Sequence, residues 1–213
     1  MERQLIIDSY GVFKPAIVSE AVYDDHNNMI RGLLLQGILQ RANAINQNGR
    51  KYPRLILRRE ADKYKKVFVT EKRSYGELDH PDSSVVSMQT ASHWVVDLWW
   101  EGDDLWGKVE LLDTPCGRIV EAIVRRGLTI GISSRGLGSV KPLREDSDEV
   151  EVQDDFEILA WDFVSNPSTQ GAFMHQVKEQ IYEGYTKNNA GIYVPNYKYG
   201  RVNQLINDIL LDI

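Results

Sequence analysis

Short apolar runs in the central part of the chain predict a series of strands and short helices. The first run, GLLLQGIL at 32–39, is followed by a turn-rich stretch at 46–53 that ends at a proline. The charged segment after this proline predicts a helix. Two later runs, at 92–100 and 105–112, are rich in β-branched and aromatic residues. With EGDD between them, they predict a β-hairpin with one of the longer loops.

The segment DTPCGRIVEAIVRRG carries signals for both ends of a helix. Thr114 is suited to cap the N-terminus, and Pro115 is suited to the first helical position. Gly127 predicts the C-terminal end. The apolar residues between them recur at helical spacing and share one face: Ile119, Val120, Ile123 and Val124.

The next segment, LTIGISSRG, alternates apolar and small or polar residues and predicts a strand. One face carries Leu128, Ile130 and Ile132, and the other carries Thr129, Gly131, Ser133 and Arg135. By this alternation Ser133 lies on the small-residue face, whereas Ser134 points toward the core. Ser133 is therefore the better candidate for a nucleophile.

A last predicted strand, DDFEILAWDFV, contains an acid where the pattern calls for an apolar residue. Asp162 lies on the face of Phe156, Ile158, Ala160 and Val164. A carboxylate buried at this position needs a partner, because burying an unpaired charge is costly.

The patterns divide the chain into three regions. In residues 1–30 the apolar and polar positions are mixed without a sustained period, and this region is interpreted as a loosely attached arm. Residues 31–174 form the predicted folded domain. Residues 175–213 are interpreted as a Gly-, Asn- and Tyr-rich linker followed by an amphipathic helix at 202–213.

Composition excludes several classes of protein. The chain has 213 residues, a net charge of −6 and a single cysteine, Cys116, so we expect neither a disulfide framework nor a cysteine zinc site. Basic residues are scattered, which argues against direct nucleic-acid binding. The first residues do not resemble a signal peptide and no apolar run is long enough for a membrane span, so we expect a soluble, cytoplasmic protein.

His80, Ser133 and Asp162 supply the three side chains of a serine-hydrolase triad. Serine needs an imidazole to accept its proton, and a carboxylate on the other ring nitrogen fixes the tautomer. Their spacing alone is weak support, because any chain of this length offers several such sets. The alternative is a turn histidine, a polar strand end and an exposed acid.

Four motifs in order, NGRKYP, GELDHP, DLWW and GISSRGLGS, resemble the prohead maturation proteases of large phages with contractile tails. These proteases more distantly resemble the herpesvirus assemblin proteases. The resemblance covers about residues 31 to 170. It implies an α+β fold built round a mostly antiparallel β-barrel with flanking helices, with a C-terminal tail beyond it.

The resemblance also implies roles for particular residues. His80 corresponds to the general base and Ser133 to the nucleophile, with Ser134 as the alternative. Herpesvirus proteases have a second histidine as third member where phage relatives use an acid. Asp162 fits the latter, while His93 and His175 remain other candidates.

Acyl transfer further requires backbone donors for the developing oxyanion. The glycine-containing stretch at 135–138 is the natural supplier, so Arg135 and Gly136 are predicted to form an oxyanion or substrate loop. Arg135 would position this loop or contact an acidic substrate. The alternative is an ordinary surface arginine.

The function implied is that of a serine endopeptidase, without cofactor or metal, acting inside the phage prohead in the host cytoplasm. Its partners would be capsid and scaffold or core proteins as substrates, and a homo-oligomer is allowed. Cleavage after glutamate is expected, including self-cleavage after Glu183. Two alternatives remain: an inactive capsid scaffold or tail-tube-like relative, and an esterase, although the G-x-S-x-G motif is missing.

Overall fold

The structure is a computed structural model, and it describes residues 3–8, 16–26, 28–128, 130–165, 185–187 and 193–195. The chain divides into two compact units, residues 1–176 and 177–213. No helix in the described parts is both long enough and apolar enough to cross a lipid bilayer.

The first unit combines many short strands with two α-helices. Its strands are β1 (Gln4–Asp8), β2 (Ala16–Ser19), β3 (Val22–Tyr23), β4 (Met29–Arg31), β5 (Leu34–Arg41), β6 (Arg50–Lys51), β7 (Tyr75–Glu77), β8 (Ala91–Glu101), β9 (Asp104–Leu111), β10 (Gly131–Gly138), β11 (Val140–Pro142), β12 (Val150–Val152) and β13 (Glu157–Val164). Its helices are α1 (Arg54–Tyr64), which continues into a π-helical turn at Lys65–Val69, and α2 (Pro115–Arg125).

The largest sheet has five strands in the order β2-β5-β9-β8-β7, and all its neighbours are antiparallel. The predicted hairpin forms its centre as β8 and β9. Its loop is shorter than expected, because Glu101 pairs with Asp104 and only two residues turn the chain. Gly102 adopts φ 61°, a left-handed conformation that glycine tolerates without a steric penalty.

A second sheet has three antiparallel strands in the order β1-β10-β13, so β10 has a partner on both sides. Here the structure differs from the expectation of a loosely attached arm at 1–30. β1 pairs with β10, Ile6 is buried in the core, and β2 pairs with β5. A pattern of five residues is too short to reveal such pairing in the sequence.

The two sheets meet where β7 ends. Leu78 forms a parallel bridge to Phe163 of β13. Close by, the ring of Tyr64 on α1 packs edge-on against Trp161, with 4.9 Å between centroids. Both aromatic side chains are buried in the core, so α1 covers β13 from one side.

The expected mixed α+β class with mainly antiparallel strands is confirmed. The expected closed barrel is not found in the described part of the chain: its strands belong to separate sheets of five, three, three, two and two strands. Strand β7 ends the five-stranded sheet and approaches β13 through one bridge rather than a continuous ladder.

Helix α2 begins and ends as predicted. The side chain of Thr114 accepts a hydrogen bond of 3.0 Å from the Gly117 amide, Pro115 opens the helix, and Gly127 follows its end with φ 69°. The strand after it starts later than predicted, at Gly131. Leu128 therefore lies outside the strand and is exposed rather than buried.

In the second unit, β14 (Tyr185–Lys187) pairs with β15 (Tyr193–Pro195) as an antiparallel hairpin. This hairpin falls in the segment interpreted as a linker. The predicted terminal helix at 202–213 lies outside the described residues.

Candidate active site

Strand pairing brings two of the predicted site residues together. In the antiparallel ladder of β10 and β13, Ser133 lies directly opposite Asp162. Opposed residues in such a ladder project from the same face of the sheet. Arg135, two residues after Ser133 on β10, shares this face. The alternation in the sequence predicts the shared face of Ser133 and Arg135, whereas the pairing of β10 with β13 brings Asp162 to that face.

A turn after β7 presents the third predicted residue to the same face. The amide of Asp79 donates a 2.8 Å hydrogen bond to the carbonyl of Phe163, the residue next to Asp162. Asp79 has φ 62°, a conformation in which aspartate is found more often than most residues. This turn directs His80 toward the face that carries Ser133 and Asp162, and Pro81 ends it.

His80 bridges the serine and the carboxylate. Its Nδ1 lies 2.8 Å from Oδ2 of Asp162, and its Nε2 is in hydrogen-bond contact with Oγ of Ser133. With the proton on Nδ1, the ring donates to the carboxylate and is ready to accept the serine proton at Nε2. The three predicted residues are therefore assembled in the order that nucleophilic catalysis requires.

The site lies at the edge of the core. Ser133 and Asp162 are completely buried, and the side chain of His80 is 14 % exposed. The imidazole is thus the member of the set that is nearest to solvent.

Both oxygens of Asp162 have partners. Oδ1 accepts a 3.0 Å hydrogen bond from the Glu77 amide and one of 3.2 Å from the Arg135 guanidinium. Oδ2 receives His80 and lies 3.0 Å from Nε of Arg135. The buried carboxylate therefore has the partners that the sequence pattern required, and the cation among them offsets its charge.

The other candidates do not contact this set in the same way. Ser134 is opposite Trp161 and Asp8 in the two ladders of β10, and it is Ser133 that bonds His80. His175 lies outside the described residues.

His93 is buried on β8 and plays a packing role. Its Nδ1 shares a 2.9 Å hydrogen bond with the Ser92 hydroxyl, and its ring lies against Phe163. Burial lowers the pKa of His93 from its usual 6.5 to about 4, although the charge of Asp162 acts in the opposite direction. The ring is therefore neutral at physiological pH. Asp162 occupies the position beside His80 that His93 was a candidate to fill.

Arg135 and Gly136, predicted to form an oxyanion or substrate loop, do not lie in a loop. They lie inside β10, where both edges of the strand are paired. Both residues have partners in the two ladders, with a shift of register between them in the pairing with β13, so this stretch is strand rather than loop. The Arg135 side chain is completely buried and bonds Glu77, Asp162 and the carbonyl of Ser83, so it is neither a surface residue nor free to contact substrate.

Sequence reasoning missed Glu77, whose carboxylate is buried and paired with Arg135. It stands in the same GELDHP motif that drew attention to His80. An acid three residues before the candidate base His80, within the same motif, is the sequence signal that could have revealed it.

A family model described as "Prohead core protein serine protease" matches residues 3–183. The chain belongs to this family. The match includes every residue of the site described above, from Glu77 to Asp162, and it extends well into the first 30 residues. The predicted resemblance to prohead maturation proteases is therefore confirmed.

Two relatives support this membership. The prohead core protein protease of Enterobacteria phage T4 is 33 % identical over 150 residues, which are 68 % of this chain and 71 % of the relative. The solved structure of the bacteriophage T4 capsid assembly protease is 30 % identical, with a TM-score of 0.68 over 78 % of this chain and 100 % of that chain. The mixed α+β fold of this family member is thus shared with a solved protease.

Proposed function

We propose that this family member is a serine endopeptidase with Ser133 as nucleophile, His80 as general base and Asp162 as the acid that orients the imidazole. The observation that carries the proposal is the continuous contact from Ser133 Oγ through both nitrogens of His80 to Asp162 Oδ2. Both ring nitrogens of His80 are thus engaged by the two other members of the proposed triad.

The geometry supports a defined movement of protons. As Ser133 Oγ attacks the peptide carbonyl, its proton passes to Nε2 of His80 and Asp162 stabilises the resulting imidazolium. The C–N bond then breaks, and Nε2 returns the proton to the leaving amine. A water molecule repeats the sequence on the acyl-enzyme, giving a free carboxylate and the original serine.

Substrate access requires a local rearrangement, because Ser133 is completely buried. His80 belongs to the connection between β7 and β8, whereas Ser133 and Asp162 belong to paired strands. Connections open at a lower cost in free energy than ladder strands do. The movement is therefore expected in the connection at residues 78–90, away from the points at which Arg135 and Glu77 bond it, with the serine held in place.

The substrates are proposed to be capsid and core proteins of the phage, cleaved inside the prohead within the host cell. Support comes from the relatives, which are a prohead core protein protease and a capsid assembly protease. We propose that cleavage follows glutamate and that the enzyme also cleaves itself after Glu183, which lies outside the described residues. The distant likeness to herpesvirus assemblin proteases is part of the same proposal.

Expression of the wild type beside Ser133→Ala and Ser134→Ala tests the nucleophile. Each protein is incubated with a phage core protein and with a fluorophosphonate probe that labels activated serines. Wild type and Ser134→Ala are expected to cleave and to label, and Ser133→Ala to do neither. Mass spectrometry of the products identifies the bond cut and the labelled residue.

The same experiment separates the alternatives. Cleavage by Ser133→Ala but not by Ser134→Ala would move the nucleophile by one residue. Absence of both cleavage and labelling in the wild type would favour an inactive structural relative. Hydrolysis of small esters without cleavage of any core protein would favour an esterase.

A further inference from the structure

Beside the triad lies a buried ion pair that takes no part in the proton transfers of Ser133 and His80. Glu77 and Arg135 are both completely buried, and one carboxylate oxygen of Glu77 accepts a hydrogen bond from the Arg135 guanidinium. A buried pair of this kind rarely repays its desolvation by stability alone. Its contacts indicate another role.

Arg135 joins three separate parts of the chain. Its guanidinium bonds Glu77 at the end of β7, lies 3.0 Å from Asp162 on β13, and donates a 2.7 Å hydrogen bond to the Ser83 carbonyl. Ser83 follows His80 by three residues in the connection between β7 and β8. The planar fork of arginine donors suits such a junction, whereas the single ammonium of lysine does not.

The second oxygen of Glu77 holds the far end of the same connection. It accepts a 3.1 Å hydrogen bond from the Ser87 amide and one of 2.6 Å from the Thr90 hydroxyl. The connection that carries His80 is thus tied by Arg135 near its middle and by Glu77 near its end.

The pair also sets the charge round His80. With a neutral imidazole, the buried cluster contains two carboxylates, Glu77 and Asp162, and one guanidinium, Arg135, so it carries one net negative charge. When His80 takes the serine proton, the cluster becomes neutral. Charge development in the transition state is therefore favoured, because it removes an uncompensated charge from a low-dielectric site.

We propose that Glu77 and Arg135 are positioning residues of the protease. They clamp the His80 connection against β10 and leave the buried cluster with one excess negative charge until His80 is protonated. The proposal rests on the proposed function, with its triad of Ser133, His80 and Asp162. It also accounts for the joint occurrence of two motifs, since Glu77 comes from GELDHP and Arg135 from GISSRG.

Glu77→Gln is the sharpest test of the charge. In this variant the positive charge of Arg135 still pairs with the negative charge of Asp162, and the glutamine oxygen can still accept the hydrogen bond from the Ser87 amide. The variant is therefore expected to fold. Removing Arg135 instead would leave two buried carboxylates facing each other. In Glu77→Gln, kcat is expected to fall by about 10-fold to 100-fold with little change in KM.

The pH profile separates a charge effect from a loss of structure. With one negative charge removed, protonation of His80 is less favoured, so the acid limb of kcat/KM is expected to move to lower pH. The other titratable or charged groups near the site stay the same in this comparison: Tyr64 on α1, His93 on β8, and Asp79 and Asp82 in the connection.

Glu77→Ala tests the clamp, because it removes both the charge and the acceptor for Ser87 and Thr90. Amide hydrogen exchange is measured in a Ser133→Ala background, which prevents self-digestion. Faster exchange is expected across residues 78–90 in Glu77→Ala and much less in Glu77→Gln. Such a local difference does not require any activity measurement.

Glu121→Gln is the matched control. Glu121 is a nearly buried carboxylate that accepts a 2.8 Å hydrogen bond from Arg125 on α2, away from the triad. This variant is expected to keep the wild-type kcat, pH profile and exchange pattern in residues 78–90.

The outcomes distinguish this proposal from the triad assignment. Full activity in Ser133→Ala would overturn the assignment itself. Inactive Ser133→Ala together with wild-type kcat and pH profile in Glu77→Gln would overturn only the positioning role. If Glu77→Gln does not fold, Arg135→Lys decides: a folded variant with unchanged kcat overturns the proposal, and a folded variant with reduced kcat and unchanged KM supports it.

Discussion

Ser133 and Asp162 face each other directly across two hydrogen-bonded antiparallel strands, β10 and β13. A slip of one residue in this register would send one of the two side chains to the opposite face. The ladder therefore fixes the distance between the candidate nucleophile and the acid. Only His80, which bridges them from a connection, depends on loop structure for its position.

Asp162→Asn is expected to lower kcat by about 100-fold to 10,000-fold with little change in KM. The amide can donate to Nδ1 of His80 and so favour the wrong tautomer, and it no longer stabilises the imidazolium. The variant should fold, because Arg135 remains paired with Glu77. Steady-state kinetics on a peptide substrate provide the measurement.

Some activity should remain in Asp162→Asn, above that of Ser133→Ala, because the nucleophile and base survive. An Asp162→Asn enzyme with unchanged kcat and a raised KM would contradict the role assigned to this carboxylate and point to substrate binding instead.

The site illustrates what a local pattern can and cannot predict. Strand alternation has a fixed period of two, so the sequence alone predicts that Ser133 and Arg135 share one face. The alternation does not show that β10 lies between β1 and β13, because pairing depends on residues far apart in sequence. For that reason the sequence predicts that the chain leaves the strand at Arg135 to form a loop with Gly136. In the structure Arg135 is buried within a paired strand that continues to Gly138.

The same limit applies to the fold. Thr114, Pro115 and Gly127 act on neighbouring residues, and the helix ends that they predict are those observed. The closed barrel and the loose N-terminal arm concern contacts between distant segments. The barrel is expected from resemblance and the arm from short patterns. In the structure β1 pairs with β10, and the described strands form separate sheets rather than a closed barrel.

His93 is expected to make the fold sensitive to acid. Its pKa is lowered by burial from 6.5 to about 4, so the unfolded chain takes up a proton at a higher pH than the folded one. The contribution of neutral His93 to the free energy of unfolding is fully present above its unfolded pKa and is lost as pH falls from 6.5 toward 4. The loss amounts to about 3 kcal/mol.

Urea unfolding between pH 7.5 and 4 measures this loss, again in a Ser133→Ala background. His93→Gln removes the titrating group while the carboxylates that also respond to acid remain. The variant should be less stable at pH 7.5 but should lose less stability on acidification. An equal loss of unfolding free energy on acidification in the two proteins would contradict a buried neutral His93.

Self-cleavage is expected after Glu183. Three glutamates in the chain follow a leucine or isoleucine by two residues: Glu121, Glu145 and Glu183. Glu121 lies within α2, where a hydrogen-bonded backbone cannot adopt the extended form that proteases bind. Glu145 is exposed, but acids follow it closely. Glu183 is followed by glycine, in a segment rich in glycine and asparagine.

Intact mass spectrometry of the purified enzyme tests this site. The wild type should release a fragment of residues 184–213, whereas Glu183→Gln and Ser133→Ala should stay intact. A wild-type chain that still ends at Ile213 after long incubation, while it cleaves a peptide substrate, would rule out the site.

Gly76→Ala is expected to destabilise the fold and reduce activity together. Gly76 has no unusual φ, but a Cβ at this position would overlap the carbonyl oxygen of Trp161 and the ring of His93. Neither neighbour can move freely, since Trp161 belongs to β13 and both are buried. The expected cost is about 3 kcal/mol. Because Gly76 precedes Glu77, any shift of β7 also disturbs the Glu77 amide that bonds Asp162.

Gly102→Ala provides the contrasting control. Gly102 has a left-handed φ of 61°, yet a Cβ there would meet no atom within 4 Å. The expected cost is therefore about 1 kcal/mol of backbone strain, without a change in kcat. Thermal unfolding and peptide cleavage are measured for both variants. A Gly76→Ala protein as stable and active as Gly102→Ala would mean that β7 does not pack against β13 closely enough for the motif glycine to be required.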